Sequence, residues 1–145
     1  MFKSKKTQMS SSKTIAKKSK RSGAVTVEVA LCLPILFLLL FGCLEMASAN
    51  MLKHATESAA YEGARVGILP GATPAGVQLA VDHILNTIGA EGSSVEILPQ
   101  VITQETEEIE VIVSVPYAPN AWIAPFVIRN NPTFTSSCVL RRELL

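Results

Sequence analysis

The residue whose chemistry most needs an explanation is Glu28, a carboxylate near the start of a long apolar run. An ionised side chain costs about 2.5–3.5 kcal/mol at the centre of a membrane helix on insertion scales, and less near the helix end. Two interpretations are open. Glu28 is either an acid favoured by the positive end of the helix dipole, or a group that meets a cation on another chain.

The other titratable side chains form no recognisable catalytic or metal-binding motif. The sequence contains no nucleophile elbow, phosphate-binding loop or zinc motif, and neither His54 nor His83 belongs to a Cys–His arrangement. The acids between positions 105 and 110 lack the loop spacing of a calcium site. We therefore expect no enzyme activity, no metal and no cofactor.

Residues 24–44 have the length and composition of a membrane helix. Glu28 is their one charged residue, and as a helix they span about 31 Å, which matches a hydrocarbon core of about 30 Å. Eight basic residues and no acid lie in residues 1–23, whereas the rest of the chain carries all 12 acids. This leader indicates membrane orientation rather than nucleic-acid binding, with the leader inside and the body outside. Pro34 is expected to kink the helix near Ala30.

Cys43 supports an alternative kind of membrane anchor. Three cysteines do not make a disulfide framework. The stretch "LFGC", which ends at Cys43, has the small residue that precedes a lipidated cysteine, although Phe41 is bulky and the basic region is long. A lipid- or helix-anchored extracytoplasmic binding module that does not polymerise is therefore the competing class of protein.

Three stretches together resemble a known family. A basic leader, then "GAVTVE" (23–28) with glutamate at the fifth position after the glycine, is the pattern of bacterial type IV prepilins and pseudopilins. "GAVTVEVALCLPILFLLLFGCLE" (23–45), "ESAAYEGAR" (57–65) and "FTSSCVLRRE" (134–143) narrow the resemblance to TadE-like pseudopilins of the tight-adherence (Tad/Flp) pilus system. The long leader departs from the usual family pattern and places the true translation start in question.

The resemblance implies a processing step and a role in assembly. A prepilin peptidase in the bacterial inner membrane would cut between Gly23 and Ala24 on the cytoplasmic side. Glu28 could then pair with the new amine of a neighbouring helix and set the register between apolar helices. Other pilins or pseudopilins, the Tad assembly machinery and the lipid bilayer are the implied partners, for a minor pseudopilin that spans the membrane once.

The region beyond the membrane run is expected to form an α+β domain. Helix-compatible sequence continues to Leu69, and Thr73 with Pro74 predicts the start of a second helix that stops at Gly89. Its apolar stripe is expected at Val77, Ala80, Val81, Ile84 and Ile88. Alternation within "SVEIL", "EIEVIVSVPY" and "TFTSSCVLRREL" predicts three antiparallel strands of unknown order. The predicted organisation is a cleaved leader (1–23), a transmembrane helix (24–45) and an extracytoplasmic pilin-like domain (46–145).

Two pairs of residues outside the membrane run are candidate partner contacts. Tyr61 and Arg65 lie four positions apart in "AAYEGAR" and can stack on one helix face. The small residues of the same stretch favour packing of the helix against its own sheet. Trp122 and Phe126 lie in a proline-punctuated loop, which is expected either to cover the core or to contact another subunit or the outer leaflet.

Overall fold

The computed structural model describes residues 20–103 and 106–142, with side chains from Gly23 onward. Residues 1–19 of the predicted leader lie outside this part of the chain. The order of elements confirms the predicted α+β class, with two helices and a small antiparallel sheet. The elements are α1 (Lys20–Gly67), α2 (Pro74–Thr87), β1 (Ser94–Leu98), β2 (Glu108–Pro116), a 3-10 turn (Ala118–Asn120) and β3 (Thr133–Arg141).

Helix α1 begins with the apolar run and is long and apolar enough to cross a membrane. Its 48 residues agree with the predicted single long helix, and the helix continues through Pro34. The expected kink near Ala30 stays a prediction. The chain divides into two compact units, one that ends at Phe37 and one that begins at Leu38. In the first unit the large apolar side chains from Val25 to Phe37 are exposed, as expected of a helix that lipid surrounds.

The sheet in the second unit has the order β1-β2-β3, so each pair of neighbours is joined by one loop. Both pairs are antiparallel, with Val113 opposite Val95 on one side and Ser136 on the other. The alternation predicted for β2 is confirmed, since its inward residues are completely buried. These residues are Ile109, Val111, Val113 and Val115.

Helix α2 packs an apolar face against this core. Thr73 caps it as predicted, because its hydroxyl accepts a hydrogen bond from the Gly76 N–H at 3.2 Å, and Gly89 follows the helix with φ +67°. The predicted stripe needs one correction. Leu85 is buried, whereas Ala80 is only half-buried, because the buried face follows Val77, Val81 and Leu85 at intervals of four.

Glycines in α1 permit the close approach of the helix to the rest of the core. A Cβ at Gly63 would lie 2.7 Å from Val81 Cγ2 and 3.2 Å from Val111 Cγ1. The neighbouring alanines 59, 60 and 64 are fully buried. The small residues of "AAYEGAR" therefore pack α1 against its own α2 and sheet, which was the favoured interpretation of this stretch.

The C-terminal end of α1 is held by Arg142, which directly follows β3. Its Nε donates to the carbonyl of Ile68 at 2.9 Å, and Nη2 donates to Gly67 at 3.1 Å and Leu69 at 3.2 Å. Nη1 donates to Thr103 at 3.0 Å. The guanidinium thus donates to the carbonyl of the last residue of α1 and to those of the two residues that follow, and its charge complements the helix dipole.

Candidate functional site

The first candidate site lies near the start of α1, where the sequence pattern predicted processing. Ala24 and Glu28 are four residues apart in one helix, so they share a face, and both are exposed. A Cβ added at Gly23 would meet no heavy atom within 4 Å. The glycine is therefore not required by packing in the described protein. The carboxylate of Glu28 lies on a helix surface that is otherwise largely apolar, where a cation of a second chain could reach it.

Tyr61 and Arg65 lie on α1 in the second unit, and Arg65 has an acidic partner. Its Nη1 donates to both carboxylate oxygens of Glu62, at 3.1 and 3.0 Å, while Tyr61 is exposed. The ion pair with Glu62 is a contact that the spacing of Tyr61 and Arg65 did not predict, and their stacking stays a prediction. Both side chains remain on the surface, so their role as a partner contact stays a prediction.

Trp122 and Phe126 are exposed in the loop between the 3-10 turn and β3. This loop bonds to Glu45, and Glu45 precedes Tyr61 by 16 positions in α1, which is about 24 Å along the helix axis. The four candidate contact residues therefore do not form one patch. They belong to two surfaces of the second unit, one near each end of its part of α1.

Glu45 forms a second site that sequence reasoning missed. Its side chain is fully buried, and its carboxylate accepts three consecutive backbone N–H groups. Oε1 lies 2.7 Å from the Ile128 nitrogen, and Oε2 lies 2.8 Å from Val127 and 3.2 Å from Phe126. Successive N–H groups that converge on an anion form a concave backbone site of the kind that binds carboxylates and phosphates. Here the helix itself supplies the anion.

The backbone carbonyl of Glu45 is also hydrogen-bonded, by two buried hydroxyl groups. Tyr117, which is fully buried, donates its hydroxyl to the Glu45 carbonyl at 3.2 Å and lies 3.0 Å from the Ser48 hydroxyl. Ser48 donates to the same carbonyl at 2.8 Å. Phe134 supports Tyr117 edge-to-face, with ring centroids 6.0 Å apart. The polar groups thus join α1, the end of β2 and the loop before β3 into one bonded cluster.

A sequence signal for this cluster was present but weak. Glu45 is the first charged residue after the uncharged run that begins at Val29, which marks it as a boundary residue. Its partners are backbone N–H groups, and these leave no trace in side-chain identity. Within residues 20–103 and 106–142, no group of three or more His, Cys, Asp or Glu side chains is arranged to hold a metal ion.

Comparison with known proteins bears on the N-terminal part of the chain. A family model described as TadE-like protein matches residues 23–65, which include Gly23, Glu28, Glu45 and the "AAYEGAR" stretch. No curated protein and no solved structure matches the chain significantly. The match suggests a component related to the Tad pilus, and within the described residues one helix is long and apolar enough for a membrane anchor. The resemblance to the TadE-like family is therefore confirmed over residues 23–65.

Proposed function

We propose that the chain is a minor pseudopilin, a structural or assembly component of a Tad/Flp pilus, and that prepilin peptidase cuts it between Gly23 and Ala24. The observation that carries this proposal is the spacing of Gly23 and Glu28 at the start of an exposed apolar helix, within the segment that matches the TadE-like family. The proposed location is the bacterial inner membrane, with the C-terminal domain outside the cytoplasm, and the pilus itself is a second proposed location.

The surroundings of Gly23 support a role in processing rather than in folding. A glycine that packing requires has close neighbours, as Gly63 has, whereas the position of a Cβ at Gly23 is open. A peptidase that binds the chain in a narrow cleft supplies a reason for glycine, since a residue without a Cβ lets the backbone approach closely. Gly42 is a matched control, because it lies in the same helix and its Cβ position is also open.

The exposure of Glu28 supports a role in docking to another apolar helix. After cleavage, Ala24 would carry a new amine one helical turn before Glu28. Between two copies, or between this chain and another pilin, the amine of one helix and the carboxylate of the next could pair. Such a pair offsets part of the cost of a charge in lipid and selects one axial register among otherwise similar apolar surfaces.

The packing of the second unit supports a structural role. Its residues form an α+β core in which the "AAYEGAR" stretch is used for internal packing, with Ala59, Ala60 and Ala64 fully buried. The outer surface of α1 remains available to partners. Prepilin peptidase, other pilins and the Tad assembly machinery are the proposed partners, in addition to the bilayer.

The processing step is tested with Gly23→Val and its control, Gly42→Val, in cells that contain an active prepilin peptidase. We expect Gly23→Val to keep residues 1–23, because a branched side chain obstructs the cleft, while Gly42→Val is processed like the parent. Intact mass of the membrane-extracted chains reads the result. Equal processing of both variants would contradict the proposal, and a lipidated N-terminal Cys43 in the parent would favour the lipoprotein alternative.

The docking step is tested with Glu28→Gln, which keeps the shape of the side chain and removes its charge. Membrane insertion should persist or improve, since the cost of placing a charge in lipid is removed. Co-purification with partner pilins should be lost, whereas the exposed-acid control Glu57→Gln should retain it. If Glu28→Gln co-purifies normally and piliation is normal, the docking role is wrong and Glu28 is only an acid that stabilises the start of the helix.

A further inference from the structure

The loop that Glu45 holds presents an unusual amount of apolar surface to the outside. In this aromatic loop, residues 121–128, Trp122 and Phe126 are each 61% exposed and Val127 is 56% exposed. None of these three large apolar side chains belongs to the hydrophobic core or packs against it, whereas Ala121 and Ile128 at the two ends of the loop do. Neighbouring exposed apolar side chains of this kind mark a surface that contacts a membrane, a ligand or another protein.

The position of the aromatic loop relative to the apolar run suggests which occupant. Leu38 and Phe41 of α1 line one apolar groove together with Ile123, Ala124 and Phe126. These two helix residues precede Glu45 by seven and four positions, which is about 10 and 6 Å along the axis. The loop therefore lies beside the last turns of the apolar run and not beyond them.

Three N–H groups of the aromatic loop are hydrogen-bonded within the protein and do not depend on water. Loop backbone at membrane depth is costly because its N–H groups lose water, and several kcal/mol is typical for each unsatisfied group. The N–H groups of Phe126, Val127 and Ile128 are instead satisfied by the Glu45 carboxylate. The same three bonds enclose the Glu45 carboxylate, whose side chain is fully buried and so is not exposed at the surface.

We propose that the aromatic loop inserts into the outer-facing interface of the phospholipid bilayer, as a second membrane contact beside the helical anchor. Tryptophan favours this interface, where its ring is partly in hydrocarbon and its N–H reaches the headgroups. Arg129, exposed at the end of the loop, is placed to meet lipid phosphates. The contact would hold the outer domain against the membrane and limit rotation of the anchor. It depends on the membrane anchor and not on processing after Gly23.

The chain contains one tryptophan, so fluorescence reports on this loop directly. The full chain is reconstituted into lipid nanodiscs, in which both membrane faces are accessible, with phosphatidylcholine that carries bromine on its acyl chains. We expect blue-shifted emission from Trp122, strong quenching by bromine near the headgroup end of the acyl chains, and weak quenching by aqueous iodide. Glu45→Gln should lose most of the bromolipid quenching, whereas Glu57→Gln, an exposed acid on the same helix, should keep it.

A second variant tests the proposal without disturbing Glu45. The double change Trp122→Phe with Phe126→Trp moves the reporter to the residue that shares the groove with Leu38 and Phe41. Bromolipid quenching at position 126 should equal or exceed that at position 122. Efficient iodide quenching at both positions would show a water-exposed loop and overturn the proposal. Protection from both quenchers would show a protein occupant, such as a second copy or another pilin, and would overturn it equally.

Discussion

Arg142 offers the sharpest test of how the second unit is held together, because its neighbour Arg141 is a built-in control. The Arg142 guanidinium donates to three carbonyls around the end of α1 and to the Thr103 carbonyl, at 2.9–3.2 Å. Arg141 instead pairs with Glu107 at 2.9 Å, with both side chains more than half exposed. That ion pair raises the pKa of Arg141 above its ordinary value, but exposed pairs contribute little to stability.

We expect Arg142→Met to destabilise the second unit by about 2 kcal/mol, within the roughly 1.5–3 kcal/mol typical of hydrogen bonds that involve a charged group. Methionine retains an apolar stem, so most of the loss comes from the hydrogen bonds that these carbonyls no longer receive from the guanidinium. The expected loss of free energy lies in the lower half of this range because water can reach some of these carbonyls. For a domain of this size the midpoint of thermal unfolding should fall by about 8–16 °C.

The assay is thermal unfolding followed by circular dichroism on a fragment that starts at residue 44, so that Glu45 keeps its bonds to the loop. Arg142→Met should lower the melting temperature strongly, and Arg141→Met should change it little. If the two variants melt alike, Arg142 does not hold the end of α1 in solution. A small loss for Arg142→Met alone would show that water replaces the guanidinium at little cost.

Two further predictions use the same fragment. The fragment itself should fold and be monomeric or weakly associating. Val113→Asp should unfold it, because an unpaired charge would replace a fully buried side chain. A disordered parent fragment, or an unchanged melting temperature for the variant, would contradict this. Gly63→Ala should lower the melting temperature, because its Cβ would lie 2.7 Å from a Val81 methyl. Overpacking destabilises a core by about 1–3 kcal/mol, whereas the higher helix propensity of alanine stabilises the helix by about 1 kcal/mol. Gly76→Ala should not lower it, because its Cβ would lie 3.4 Å from the nearest atom; a loss equal to that of Gly63→Ala would refute the packing argument.

The regular elements were predictable because local rules and tertiary packing agree in them. Thr73, Pro74 and Gly89 mark the limits of α2 by capping and turn chemistry, and each behaves as predicted. The alternation around Val113 gave both the extent and the buried face of β2. The stripe of α2 was less exact, because the position of Leu85 against the sheet depends on how the helix is rotated.

The polar contacts that hold α1 to the rest of the second unit were not predictable from the sequence. Glu45 bonds to backbone N–H groups of the loop before β3, and Arg142 bonds to backbone carbonyls at the end of α1, in both cases at sequence separations of more than seventy residues. Almost every residue carries the same backbone N–H and C=O groups, so the identities of the side chains do not reveal which residues bond to Glu45 or Arg142. The order of the strands was open for a related reason, since three short strands with similar alternation fit more than one arrangement.

The central claim is that the chain is processed as a prepilin, and the identity of the mature N-terminus tests it most directly. The unmodified protein is extracted from membranes of cells with an active prepilin peptidase, and its intact mass and N-terminal sequence are measured. The account predicts a mature chain that begins at Ala24 and contains Glu28 as its fifth residue. A chain that retains residues 1–23, or one that begins at a lipidated Cys43, would contradict it.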